Sequence, residues 1–165
     1  MDNPFWQFSV CYYRGEGVAA LYIELQDGYG LNVNLLLWVQ WLAEQGVKID
    51  GDCITQAQLQ IKSLYEHCVQ PLRKIRRQPE QSLAPALKKA LLAAEFIAEQ
   101  QVQAQLYQLS QPLVAKAKQA VAAASIAVDV RHNLSGYLAR YNALHELPRV
   151  MHCVQQYSSG CLAGC

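Results

Sequence analysis

Leu25 to Gly46 reads LQDGYGLNVNLLLWVQWLAEQG: a helix end, a tight glycine-containing loop, and a helix too apolar to lie on a surface. Between Val33 and Ala43 only Asn34 and Gln40 are polar. A helix that is hydrophobic nearly all round belongs inside a protein or inside a membrane. Roughly 13 residues at 1.5 Å each span about 20 Å, short of the ~20 apolar residues that a bilayer crossing needs. The segment therefore predicts a buried central helix over about 33–45, capped by Asn32 and stopped by a left-handed Gly46.

On the N-terminal side, Asn3-Pro4 pairs a capping residue with a favoured first helical position. It opens a short helix with a broad aromatic face, ended by Arg14-Gly-Glu-Gly17. Val18 to Gln26 follows as a second helix. Leu21, Ile23 and Leu25 would also suit a strand, but no partner strand appears later. On the C-terminal side, a long helix starts at Asp52 or Thr55 and carries Ile54, Ile61, Leu64, Cys68, Leu72 and Ile75, with Pro71 predicted to kink it. It closes on Arg73, Lys74, Arg76 and Arg77. Ser82 and Pro85 begin the longest helix, whose stripe of Leu87, Leu91, Ala94, Ala98, Val102, Leu106 and Leu109 has helical spacing. Pro112 is expected to end it. An Ala-rich segment from Ala115 to Val130, a helical Asn133–Tyr141 and a weak last helix to Tyr157 complete the chain. The expectation is one all-α domain over 1–157, a compact bundle of six or seven helices with no sheet, and a disordered tail over 158–165.

The composition sets the outer limits. The 165 residues suffice for a core without disulfide staples. Only 16% of residues are charged and 52% are hydrophobic, which leaves some apolar surface to be covered by a partner or a second copy. A net charge of +1 opposes a broad electrostatic grip on nucleic acid. MDNPFWQF lacks the basic start of a signal peptide, so the expected compartment is cytoplasmic. There the cysteines stay reduced, with Cys11, Cys53 and Cys68 read as small buried apolar residues.

Phe5-Trp6 with Phe8-Ser9, Gly17-Val18, Leu25-Gln-Asp27, the run Gly30-Leu-Asn-Val-Asn-Leu-Leu-Leu37 and Trp41-Leu-Ala43 together resemble the domain of unknown function 2390 family. Its members are short bacterial proteins, mostly gammaproteobacterial. The likeness continues more loosely through Leu72–Arg77, Leu87-Lys88, Ala94-Glu95, Asn133-Leu134 and Tyr137-Leu138. Asn32 stands where the family pattern has an Asp, and either residue caps a helix. The resemblance implies a helical, cytoplasmic protein and no particular chemistry.

Four groups of residues merit weighing. Gln26, Asp27, Asn32 and Asn34 surround the Gly28–Gly30 loop near Trp38 and Trp41. A buried amide such as Asn34 needs partners, so these polar groups either anchor the loop or line a pocket with aromatic walls. The loop lacks the Lys-Ser/Thr pair of a phosphate loop. Arg73, Arg76 and Arg77, with Lys88 a short loop away, either complement a helix dipole or hold an anion. Glu95 and Glu99 share one helical face and are within reach of those arginines as ion-pair partners; no Glu-x-x-His pattern supports a carboxylate metal site. His145, His152, Cys153, Cys161 and Cys165 supply zinc-ligand residue types but lack the short Cys-x-x-Cys spacing of a zinc knuckle. His67 and His132 have no flanking nucleophile.

The resulting expectation is a non-enzymatic interaction or regulatory domain, acting through apolar and aromatic surface on a protein partner or on itself. No cofactor, metal or membrane is expected, and nucleic acid is disfavoured. The alternative is a small-molecule or anion-binding helical domain, binding only or also catalytic, with a pocket beside Asp27, Asn34, Trp38 and Arg73–Arg77.

Overall fold

The computed structural model describes residues 3–78, 83–121 and 130–160. These form helices α1 (Pro4–Tyr13), α2 (Val18–Tyr29), α3 (Val33–Glu44), α4 (Gly51–Leu64), α5 (Gln70–Arg77), α6 (Pro85–Val121), α7 (Val130–Ala139) and α8 (Leu147–Gly160). A π-helical turn, Tyr65–Val69, joins α4 to α5 in one rod, and a 3-10 turn, Leu144–Glu146, leads into α8. The described residues thus make seven helical rods and no sheet, and no helix among them is long and apolar enough to cross a membrane.

α3 is the axis of the bundle. Ten of its twelve residues are buried, so it has no solvent face, as its apolar run requires. Asn32 Oδ1 accepts the Asn34 N–H at 2.9 Å, satisfying one of the donors a helix start leaves open. At the other end Gly46 takes φ 76°. The Gly46 N–H then donates to Ala43 and the Val47 N–H to Leu42 at 2.8 Å, the paired bonds of a Schellman cap. α7 and α6 pack along α3, α1 and α2 also pack on it, α1 touching α6 as well, and α5 lies on α6.

Local chemistry differs from expectation at several places. Asp50, not Asp52 or Thr55, caps α4, accepting the Cys53 N–H at 2.9 Å. Pro71 is accommodated by the π turn before it: the Gln70 N–H reaches back to the Tyr65 carbonyl, which widens the turn where a proline ring would meet the preceding carbonyl. Pro112 does not end its helix, for α6 runs through it to Val121. In the turn before it, Ser110 Oγ donates to the Leu106 carbonyl at 2.7 Å and Gln111 Nε2 to the Tyr107 carbonyl at 3.2 Å. Side chains thereby serve carbonyls in the stretch where a proline disturbs the helical ladder. α8 extends to Gly160, three residues into the stretch read as a tail. Cys68 is exposed rather than buried.

Two α7 side chains fasten α3 in place. Asn133 Nδ2 donates to the carbonyls of Val39 and Val47 at 3.1 and 2.9 Å, and its Oδ1 accepts the Ile49 N–H at 3.1 Å. The Tyr137 hydroxyl accepts the Asn32 N–H at 3.0 Å and donates to the Asn32 carbonyl at 2.9 Å. Complete burial pushes the Tyr137 phenol well above its ordinary pKa, so it stays neutral and keeps both bonds.

Candidate functional site

A cleft of about 410 Å³ opens beside the N-terminal half of α3. Trp6, Val10 and Tyr13 of α1 form one wall, and Ile23 and Gln26 of α2 line it as well. Val33, Asn34 and Leu37 of α3 contribute the floor with Gln103 of α6, while Phe96 of α6 and the arginines of α5 complete the enclosure. The surface is predominantly apolar, with the polar groups gathered at one side.

Those polar groups form one continuous network. Asn34 Nδ2 donates to Glu99 Oε2, and Gln103 Nε2 donates to Asn34 Oδ1 at 3.0 Å. Arg73 is the hub: its Nε reaches Glu95 at 3.1 Å, its Nη2 pairs with Glu99, and its Nη1 donates to Gln26 Oε1 at 2.5 Å. Arg76 also holds Glu95, through Nε at 2.5 Å and Nη2 at 3.1 Å. At the rim Arg77 Nη1 grips both oxygens of Asp27, at 2.8 and 3.0 Å. The spacing explains the pairing, since Glu95 and Glu99 lie one turn apart on α6 and Arg73 and Arg76, three apart on α5, share the face that meets them.

The two carboxyls of α6 respond differently to this environment. Burial would raise Glu95, but the hydrogen bonds from Arg76 and Arg73 outweigh it and hold the carboxyl below its ordinary value. At Glu99 burial prevails over the donors Asn34 and Arg73, and the carboxyl is raised. Burial, reinforced by Glu99, likewise pushes the Tyr13 phenol up. The network is mostly occupied with itself. His67 Nδ1 lies 2.9 Å from the carbonyl of Ser63, and among the described residues neither His nor Cys lines the cleft. Ser9, which does line it, donates to the Phe5 carbonyl at 2.9 Å.

Other candidates fall elsewhere. Asn32 caps α3, away from this cleft, and borders a smaller hollow of about 190 Å³ with Gln58 and Tyr141. Trp38 and Trp41 are core residues, a correction to the pocket expectation: the Trp38 indole donates to Ser110 Oγ at 2.7 Å, and Trp41 packs between the rings of Phe5 and Tyr107. An apolar run buried all round turns most of its side chains to neighbours rather than to a cavity. Lys88 is exposed on α6 and forms no ion pair with a described residue. His152 Nε2 lies 3.1 Å from Gln156 Nε2 and Cys153 is buried, whereas Cys161 and Cys165 lie outside the described residues. Among the described residues no group of His, Cys, Asp and Glu is arranged to hold a metal. His145 instead meets the Tyr29 hydroxyl at 2.8 Å, which donates to Glu146 at 3.0 Å.

The sequence reading missed the α1 wall of the cleft. Its aromatic face was visible, but which of those rings would meet α6 is a tertiary fact. The Trp6 and Phe96 rings pack edge to face with centroids 5.1 Å apart, and Phe96 remains 54% exposed. Leu92 and Ile97, each 55% exposed, continue an apolar strip along α6.

No curated protein and no solved structure matches this chain. One family model does, described as a protein of unknown function (DUF2390), over residues 4–106. That span contains every residue lining the cleft, from Trp6 to Gln103. The chain belongs to the DUF2390 family.

Proposed function

We propose that this protein is an interaction module whose cleft and adjoining α6 strip receive an apolar segment of a partner. The observation that carries this reading is the position of Phe96. It lines the cleft and, more than half exposed, continues into the surface strip of Leu92 and Ile97. A contiguous apolar patch of this kind on a soluble domain marks a contact surface, and a recess beside it suits the anchoring side chain that dominates many interfaces. The self-paired Arg73–Glu95–Glu99 network then acts as a rigid wall rather than as reacting groups. The test is the size of the complex in an extract of the cells that make the protein. Wild type should elute above its monomer mass of 18.5 kDa, and Leu92→Asp with Phe96→Asp should return it to the monomer position. Leu59→Asp, at a position 66% exposed elsewhere, should leave the complex intact. Equal behaviour of the two variants would overturn the reading.

A second reading has its own support. The cleft volume of about 410 Å³ falls in the range of small-molecule sites, and Asn34 with Gln103 supplies the few polar groups such sites use. On this reading a small amphipathic molecule fills the cleft and leaves the α6 strip uncovered.

A further inference from the structure

We infer that the segment received by the cleft and α6 strip is an acidic, amphipathic helix of another protein. This rests on the docking reading above and adds the chemistry of the partner. Charge is the first argument. Around the cleft and along α5 and the start of α6 stand Arg14, Arg73, Lys74, Arg76, Arg77, Lys88 and Lys89. The carboxylates that line the cleft, Glu95 and Glu99, and Asp27 at its rim are each held by an arginine, which leaves Glu16 beside Arg14 and Glu66 ahead of α5 as the exposed acids nearby. Arg14, Lys74, Lys88 and Lys89 form no ion pair with a described residue. The face is therefore strongly positive on a chain whose net charge is only +1, and a complementary partner carries acids on either side of its apolar stripe.

Shape is the second argument. Leu92 and Phe96 are one helical turn apart and form a ridge on α6 beside the recess that α1 and α2 enclose. A partner helix can lay side chains at i, i+3 and i+4 along such a ridge and drop one into the recess. A flat anionic bilayer would match the charge, but it cannot follow a concave surface to Val10 and Tyr13. A second copy of this chain offers no free acidic helix face among the described residues, because its carboxylates at helical spacing, Glu24 and Asp27 of α2 and Glu95 and Glu99 of α6, are already held by arginines.

The experiment is a display selection of a randomised helical peptide library against the full chain. Binders that also recognise Phe96→Asp are removed, and Leu92→Asp serves as a second filter should the first variant misfold. The expected survivors are net negative with an i, i+4 apolar stripe. Their binding should weaken several-fold with Lys88→Glu plus Lys89→Glu, and more so at low salt than at high salt. Survivors that are neutral or basic would overturn the acidic partner while leaving the docking reading in place. A library yielding no binder that depends on Phe96 or Leu92 would sink both. Sedimentation of wild type, but not Phe96→Asp, with phosphatidylglycerol vesicles in the absence of such peptides would assign the face to a bilayer and overturn the inference.

Discussion

Trp6 of α1 and Phe96 of α6 meet edge to face, their ring centroids 5.1 Å apart, with one ring half-buried and the other more than half exposed to solvent. An aromatic pair of this geometry adds about 0.5–1.5 kcal/mol beyond the area it buries. Beyond that contact the Phe96 ring, 54% exposed, leaves most of its surface in solvent, where it adds little to folding.

Substitution separates contact from core. Phe96→Ala should cost about 1 kcal/mol, the edge contact and little else. Trp38→Ala, which empties a fully enclosed site and leaves Ser110 without its indole partner, should cost about 3–5 kcal/mol. Urea denaturation monitored by circular dichroism gives both values. Similar losses for the two would mean that Phe96 is structural.

Asn34 couples the axis of the bundle to α6 through Glu99 and Gln103. Asn34→Leu removes a donor from a partly buried carboxylate and the acceptor of a buried amide, for an expected loss of about 1–3 kcal/mol. An unchanged urea midpoint would contradict the idea that these bonds support the wall of the cleft.

Glu95 and Glu99 should give opposite pH dependences. Glu95 is lowered from 4.5 in the folded state, so its contribution to stability is present above that pH and is lost as the pH falls through the folded value. Glu99 is raised from 4.5. The folded state therefore takes up its proton first, and acidification toward 4.5 favours folding through this group. Urea midpoints measured across the acid range should show Glu95→Gln flattening the loss below 4.5 and Glu99→Gln flattening the gain above it. A shared sign for the two variants would contradict the assigned environments.

Much of the fold is legible where the signal is local. The apolar run Leu35–Val39, the Asn32 cap and Gly46 suffice to place α3 and its centrality. The i, i+4 spacing of Glu95 and Glu99 against the arginines of α5 was enough to suggest their pairing. What was not legible depends on distant residues. Pro112 has the same sequence whether it ends a helix or sits within one, and the Ser110 and Gln111 bonds to the preceding turn belong to the helix that continues. Asn133 and Tyr137 look like ordinary residues on an apolar face, yet their partners lie 84 to 105 positions away. Trp38 and Trp41 suggested a pocket by residue type, but a fully buried helix directs them into the core, and the cleft takes its aromatic rings from α1 and α6 instead.

The most direct measurement is photo-crosslinking in living cells, with p-benzoylphenylalanine replacing Phe96 in one variant and Leu59 in another. Both positions are exposed, at 54% and 66%, but only Phe96 borders the cleft. If the α6 strip is a docking surface, irradiation yields a discrete protein adduct from position 96 and none from position 59. Adducts of the same pattern from both positions, or none from position 96, would contradict it.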